Sequence, residues 1–98
     1  MSKFGELLDT KIPVVIDFFS ESDKPSIMMN AVVRDVAIAL GQQARVIKID
    51  IDKNEELVNA LRIKALPTVM IYKEGEMVWR HNGTIAAEEL ITLVKEYF

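Results

Sequence analysis

The chain contains no cysteine among its 98 residues. Without a thiol it can form no disulfide and no thiolate-metal site. Mechanisms in which a protein sulfur attacks a disulfide or a carbonyl are excluded as well. The sequence alone therefore removes all thiol chemistry from the functions open to this chain.

Histidine, a strong net charge and long apolar runs are also missing or scarce. The single histidine has no cysteine to complete a ligand set around it, so we expect no metal and no other cofactor. A net charge of -3 and a pI near 5.1 give no general attraction for nucleic acid or anionic membrane. No apolar run approaches a bilayer span, and the opening MSKFGELLDTK lacks a signal-peptide pattern. We therefore expect a cytoplasmic protein without a nucleic-acid or membrane partner.

The residues that are present make an ordinary globular composition. Half of them are hydrophobic and 28% are charged, which suits a folded domain. A chain of this length supports one core, and no repeat or linker divides it. We expect a single domain over residues 1–98 and favour a monomer.

Apolar periodicity and turn residues predict alternating helices and strands. A helix joins the first two strands, which should therefore be parallel, while the last two form an antiparallel hairpin that turns at Glu74-Gly75. The result is a mixed four-stranded sheet with helices on both faces. The predicted helices cover residues 3–9, 26–40, 54–63 and 86–98, and the predicted strands cover 14–19, 45–52 and the two arms of 68–83.

The helix over 26–40 is predicted to be buried over much of its girth. Ile27, Ala31 and Ile38 widen an apolar stripe that already contains Met29 and Val33. A polar residue before it, Ser22 or Asp23, is expected to cap the helix, with Pro25 in its first turn. Phe98 is expected to face inward from the last helix, and Trp79 to share one strand face with Met77 and His81.

Five segments are more informative than these general patterns. They are VVIDFF, KPSIMMNAVV, VIKIDIDKN, LRIKALPTVMIYKEGE and the Gly83 that precedes the last helix. In this order and spacing, from about Pro13 to Phe98, the chain resembles a thioredoxin. The resemblance implies an α/β, thioredoxin-like fold, a three-layer α/β/α arrangement with a mixed four-stranded central sheet. It also implies a cis peptide bond before Pro67 in the ALPT segment.

The chain departs from the family at the redox motif. In thioredoxins the first strand leads to a tryptophan and then to a Cys-Gly-Pro-Cys turn. Ser22 occupies the tryptophan position, and neither a carboxylate nor a hydroxyl can form the mixed disulfide of thiol exchange. We therefore expect no enzymatic activity and assign no catalytic residue. The four motif positions are occupied by Asp23, Lys24, Pro25 and Ser26.

The resemblance also implies a peptide-binding groove. In thioredoxins the backbone of the residue before the cis proline pairs with an extended peptide, as a strand added to a sheet. A turn that the fold requires in any case explains Pro67 equally well. The expected groove is lined by the motif turn and by Ser22, Ile27, Met28, Leu66, Pro67 and Thr68.

Asp17 and Lys48 match two further positions of the thioredoxin site. Asp17 matches a buried carboxylate that assists thiol chemistry, and Lys48 matches the lysine that reaches toward it. We expect a buried ionisable pair, with the pKa of Asp17 raised by desolvation. Because there is no thiol to serve, inherited architecture explains Asp17 better than a catalytic role.

Three functions are consistent with these observations. The favoured one is a redox-inactive module that binds an extended peptide or protein segment. The alternative is a member of the thiol-disulfide oxidoreductase family by ancestry that acts only with a cysteine-bearing partner. The third is a structural or oligomer-forming role through the strand edge at Trp79. Ser26 as a nucleophile is disfavoured, because the only histidine, His81, lies far away in the sequence.

Overall fold

The computed structural model describes residues 2–98, and its elements follow the predicted order. Short 3-10 turns at Gly41–Gln43 and Ile51–Lys53 flank the second strand. The helices are α1 (Ser2–Leu8), α2 (Lys24–Leu40), α3 (Glu55–Ala60) and α4 (Ala87–Lys95), and the strands are β1 (Val14–Phe19), β2 (Arg45–Asp50), β3 (Thr68–Lys73) and β4 (Glu76–Asn82).

The strands form one mixed sheet in the order β2-β1-β3-β4. Strand β1 is parallel to β2 and antiparallel to β3, which is antiparallel to β4. The predicted sheet is thereby confirmed. The hairpin turns at Glu74 and Gly75, whose φ angles of 50° and 85° match the left-handed turn that suits twisted strands.

Each face of the sheet has its own apolar core, which confirms the three-layer α/β/α arrangement. Helices α2 and α4 cover one face, and α1 and α3 cover the other. Strand β1 contributes to both cores, as its near-continuous apolar run indicates. The first core includes Val15, Met29, Val33, Val36, Val69, Leu90 and Val94, and the second includes Leu8, Val14, Ile16, Phe18, Leu57, Met70 and Tyr72.

Helix α2 is buried on one side only, so the prediction of burial over most of its girth was wrong. Ile38 is 75% exposed, Ile27 is 51% exposed, and Ala31 is exposed as well. A helix in an outer layer contacts the sheet and its neighbouring helix, and its remaining surface faces water. Phe98 is also 51% exposed, because α4 ends at Lys95.

One end of the sheet gathers the segments that were expected to form a site. Phe18 pairs with Thr68, which pairs on its other side with Asn82. Strand β2 runs parallel to β1 and ends at the same place. We call this end the motif pole, and it comprises residues 20–26, 50–54, 66–68 and 82–84.

Candidate functional site

The motif turn is closed by hydrogen bonds between the two residues that stand in place of the redox sulfurs. Asp23 is the N-cap of α2, and its Oδ2 accepts from the Ser26 backbone N–H at 3.0 Å and from Ser26 Oγ at 2.9 Å. Pro25 lies in the first turn, where a helix needs no N–H donor. Of the two cap candidates, Asp23 is therefore the one used.

Ser26 has no free hydroxyl to offer for chemistry. The residue is 1% exposed, and its Oγ also accepts from the Ser20 backbone N–H at 3.3 Å. His81 lies on β4, where its Nε2 is 3.0 Å from the Thr84 carbonyl oxygen. The Ser26 hydroxyl is thus hydrogen-bonded to Asp23 and Ser20 and not to His81, and it acts in capping, as expected.

Ser20 links the motif turn to the segment after β2, a role that the sequence interpretation missed. Its Oγ donates to Asp52 Oδ2 at 3.0 Å and lies 3.0 Å from Ser22 Oγ. Because a hydroxyl carries one proton, Ser22 Oγ is the donor in the second bond. The only sequence signal is a serine placed directly after the apolar strand. Ser22 itself is exposed, and its backbone N–H also donates to Ser20 Oγ, at 3.3 Å.

Asp17 and Lys48 do not form the expected buried pair. Their Cα atoms are partners across β1 and β2, but Lys48 is exposed, and its Nζ donates to Asn30 Oδ1 at 2.6 Å. The same Nζ lies 4.5 Å from the ring centre of Phe19. The physical reason is that β2 is an edge strand, so a long side chain reaches water around the edge.

Asp17 is left buried without a partner. It is 0% exposed, and neither carboxylate oxygen accepts a hydrogen bond from the described residues. Burial raises the pKa of Asp17 from 3.8 to about 6, and the positive charge of Lys48 opposes this rise only in part. The site therefore holds one carboxyl group that titrates near neutral pH.

The Leu66-Pro67 bond is cis, as the resemblance implies. Pro67 is buried, and its carbonyl oxygen accepts from the Gly83 N–H at 2.7 Å. Among the described residues, no backbone partner bonds to the N–H or the carbonyl of Leu66. Leu66 is half-buried and has these two backbone groups available at the motif pole.

Thr68 does not line an open groove, contrary to expectation. Its side chain is 0% exposed, and its Oγ1 lies 2.6 Å from the Ala65 carbonyl oxygen and 3.3 Å from Asn82 Oδ1. Thr68 is the first residue of β3, and these two contacts hold its hydroxyl between the segment before Pro67 and the end of β4. Thr68 instead stabilises the segment that contains the cis-Pro67, through its contact with the Ala65 carbonyl oxygen.

Met28, and not Ile27, lies on the groove side of α2. Met28 is 67% exposed and borders an open depression of about 380 Å³ between α2 and α4. Ile27 lies one helical turn before Asn30, which contacts Lys48 on the β2 side. Successive side chains of a helix point about 100° apart, so Met28 borders the depression and Ile27 does not. The depression is lined by Met28, Met29, Val32, Thr84, Ile85, Ala86 and Glu89.

Trp79 and Met77 were expected on one strand face, and the structure places them on different faces. Trp79 is opposite Ile71 of the first core, whereas Met77 is opposite Tyr72 of the second. A bulge at this point of the hairpin shifts the register by one residue, which exchanges the faces. The Trp79 ring packs against the first core and stacks on His81 with an interplanar angle of 4°.

None of the helices in residues 2–98 is both long enough and apolar enough to cross a membrane.

Comparisons with known proteins agree with this geometry. The thioredoxin family model matches residues 1–96. Thioredoxin Y, chloroplastic, from Oryza sativa subsp. japonica is 35% identical over 96% of this chain, although the chain spans only 56% of that protein. A thioredoxin-like protein of Synechocystis is 35% identical over 92% of this chain and 87% of its own length.

A solved structure gives the same result. The crystal structure of chloroplastic thioredoxin z has a TM-score of 0.89 and 25% identity, and the match covers 98% of this chain and 88% of that one. The match of the family model to nearly the whole chain and the identity to the Synechocystis protein lead to one conclusion. This chain belongs to the thioredoxin family, and it lacks both cysteines of the family's redox motif.

Proposed function

We propose that the chain is a redox-inactive binding module that holds an extended segment of a partner protein at the motif pole. One observation carries the proposal. The motif turn is closed on itself by the Asp23–Ser26 hydrogen bonds, while the backbone of Leu66 beside Pro67 is available for pairing. A partner segment can contact this pole, but the chain has no cysteine with which to capture it in a disulfide.

The expected mode of binding is strand addition. An extended segment can exchange main-chain hydrogen bonds with Leu66 and place a side chain toward the apolar surface around Met28. Gly83 bonds to Pro67 and leads directly into Thr84 and Ile85, so this surface continues from the proline loop without a break. Affinity would come from these contacts without a disulfide.

The absence of redox activity is tested by insulin reduction with dithiothreitol as the electron source. We expect the chain to give no rate above the reductant alone. A variant carrying both Asp23→Cys and Ser26→Cys is the matched control, since it returns two sulfurs to the same turn. Turnover by the cysteine-free chain contradicts the proposal.

Peptide binding is tested with a displayed library of random dodecamers selected on the full chain. Selected peptides should lose affinity about tenfold or more with Met28→Asp, because this change puts a charge on the apolar surface. Ile38→Asp is the control, since Ile38 is also largely exposed on the same helix, near its other end and far from the motif pole. Equal losses for both variants, or no selected peptide at all, contradict the proposal.

The alternative, action only together with a cysteine-bearing partner protein, is tested by the same insulin assay with a native lysate fraction added. Reduction that depends on both components supports it. Cytoplasmic localisation stays a prediction, because the name of the Oryza relative places that longer protein in the chloroplast. A monomeric state also stays a prediction, which light scattering coupled to size-exclusion chromatography checks.

A further inference from the structure

We propose that the partner segment is basic, with a large aliphatic side chain and a lysine or arginine within three residues of it. The inference rests on the proposed function and specifies its ligand. Two features support it: the apolar depression beside Met28, which adjoins the motif pole at Thr84, and the acidic side chains of the pole and of the depression's edge.

The depression supplies the place for the aliphatic side chain. Its walls come from two packed helices and from the segment that follows Gly83. Met29 forms a fully buried floor, and Met28 is an exposed and adaptable rim. A leucine, isoleucine or methionine suits such a surface better than a polar residue does.

Glu89 places a negative charge at the edge of this depression. It is exposed, and the first turn of α4 contains Glu88 and Glu89. A carboxylate near a helix N-terminus stabilises the helix, and this alone explains an acidic residue in the first turn. Glu88 shares that favourable position but does not border the depression, which makes it a built-in control.

The motif pole itself is acidic as well. Its acidic residues are Glu21, Asp23, Asp50 and Asp52, against the two lysines Lys24 and Lys53. The Ser20 hydroxyl holds Asp52 beside the motif turn. A basic segment crossing the pole therefore meets acids on both sides, at the motif turn and at Glu89, whereas an acidic segment is repelled.

Lys24 carries a positive charge at the same pole, so its removal should change the peptide affinity in the direction opposite to the removal of an acid. This lysine is exposed at the motif turn and repels a basic peptide. Removing it with Lys24→Gln should strengthen the binding of a basic peptide about twofold, while Glu89→Lys should weaken it about fivefold. Glu88→Lys should change the affinity by less than twofold.

The experiment uses the dodecamers selected on the full chain and measures their affinities by isothermal titration in low and high salt. The inference expects enrichment of an aliphatic residue with a nearby lysine or arginine, opposite effects of Lys24→Gln and Glu89→Lys, and weaker binding in high salt. Circular dichroism confirms that the variants fold.

The outcomes separate the inference from the proposed function. Peptides that bind with Met28 dependence but show no basic enrichment, or respond equally to Glu88→Lys and Glu89→Lys, overturn the inference and leave the proposed function standing. A library that yields no binder to the chain overturns both.

Discussion

Two carboxylates near the start of α2, those of Asp23 and Asp17, have opposite surroundings. Asp23 is only partly buried and accepts two hydrogen bonds from Ser26. Asp17 is fully buried beneath the same helix and accepts none from the described residues. By the resemblance to thioredoxins, Asp23 stands in place of a redox cysteine and Asp17 in place of the buried carboxylate that assists thiol chemistry. The motif turn has become a self-contained helix cap, whereas Asp17 keeps a buried carboxyl with no sulfur to assist.

This contrast has an energetic consequence. A satisfied cap stabilises a helix by roughly 1 kcal/mol, so the motif turn contributes to folding. A buried carboxylate without partners is unfavourable, which is why burial raises the pKa of Asp17 to about 6. One of the two positions supports the fold, and the other opposes it at neutral pH.

The largest expected effect comes from removing the buried charge. The folded-state pKa of about 6 lies above the ordinary 3.8, so the folded protein binds this proton more tightly than the unfolded chain does. The associated stability is present at pH 3.8 and below and is lost as the pH rises to about 6. Asp17→Asn should therefore be more stable than the parent chain at pH 7, by up to about 3 kcal/mol.

Urea denaturation at pH 4 and pH 7 tests this expectation. The stability difference between Asp17→Asn and the parent chain should grow between these two values, while other carboxyl groups cancel in the difference. A difference that does not change with pH contradicts the buried, unpartnered carboxylate.

The next effect concerns the Asp23–Ser26 cap. Asp23→Ala and Ser26→Ala should each destabilise the chain by roughly 1 to 2 kcal/mol, because each leaves groups of the motif turn unpaired. The double variant should lose less than the sum, by about 1 kcal/mol, because both changes remove the same hydrogen bond from Ser26 Oγ to Asp23. Thermal or urea unfolding of the four chains measures this coupling. Additive losses indicate that the two residues act independently, and Lys24→Ala serves as a near-neutral surface control.

The smallest effect concerns Lys48. Its ammonium is exposed and bonded to Asn30, so Lys48→Met should change the free energy of unfolding by less than about 1 kcal/mol. The pKa of Asp17 should nevertheless rise, because the opposing positive charge is lost. A carbon-detected NMR titration of the Asp17 carboxyl measures it, with Lys53→Met as the control. An unchanged pKa would mean that the charge of Lys48 does not act on Asp17, which contradicts this expectation.

The sheet and its order could be predicted because they follow from local signals. The apolar run at VVIDFF, the cap at Asp23 and the turn at Glu74-Gly75 act over a few residues, and the structure uses each of them. The resemblance added the cis bond at Pro67. What failed depends on packing and on strand register, which the apolar pattern does not contain. Ile38 is exposed because α2 lies in an outer layer, with one side facing water. The strand face on which Met77 lies is set by a bulge in the β3–β4 hairpin.

The features of the candidate site also fall into those that local sequence predicts and those that depend on the rest of the fold. Capping by Asp23 and Ser26 could be anticipated, because both residues lie within one turn of a helix. The bond from Ser20 to Asp52 spans 32 residues, and the exposure of Lys48 depends on β2 lying at the sheet edge. The division between Met28 and Ile27 required knowing which side of α2 faces α4. No single-sequence pattern contains that information.

The central claim is that the motif pole binds a partner segment without covalent chemistry. Titration of the isotope-labelled chain with a library-selected peptide, followed by amide chemical shifts, tests it most directly. We predict saturable shifts concentrated at Leu66, Gly83, Thr84 and Met28, which dilution reverses. Shifts confined to the opposite end of the sheet, around Pro13 and Phe98, would contradict the account.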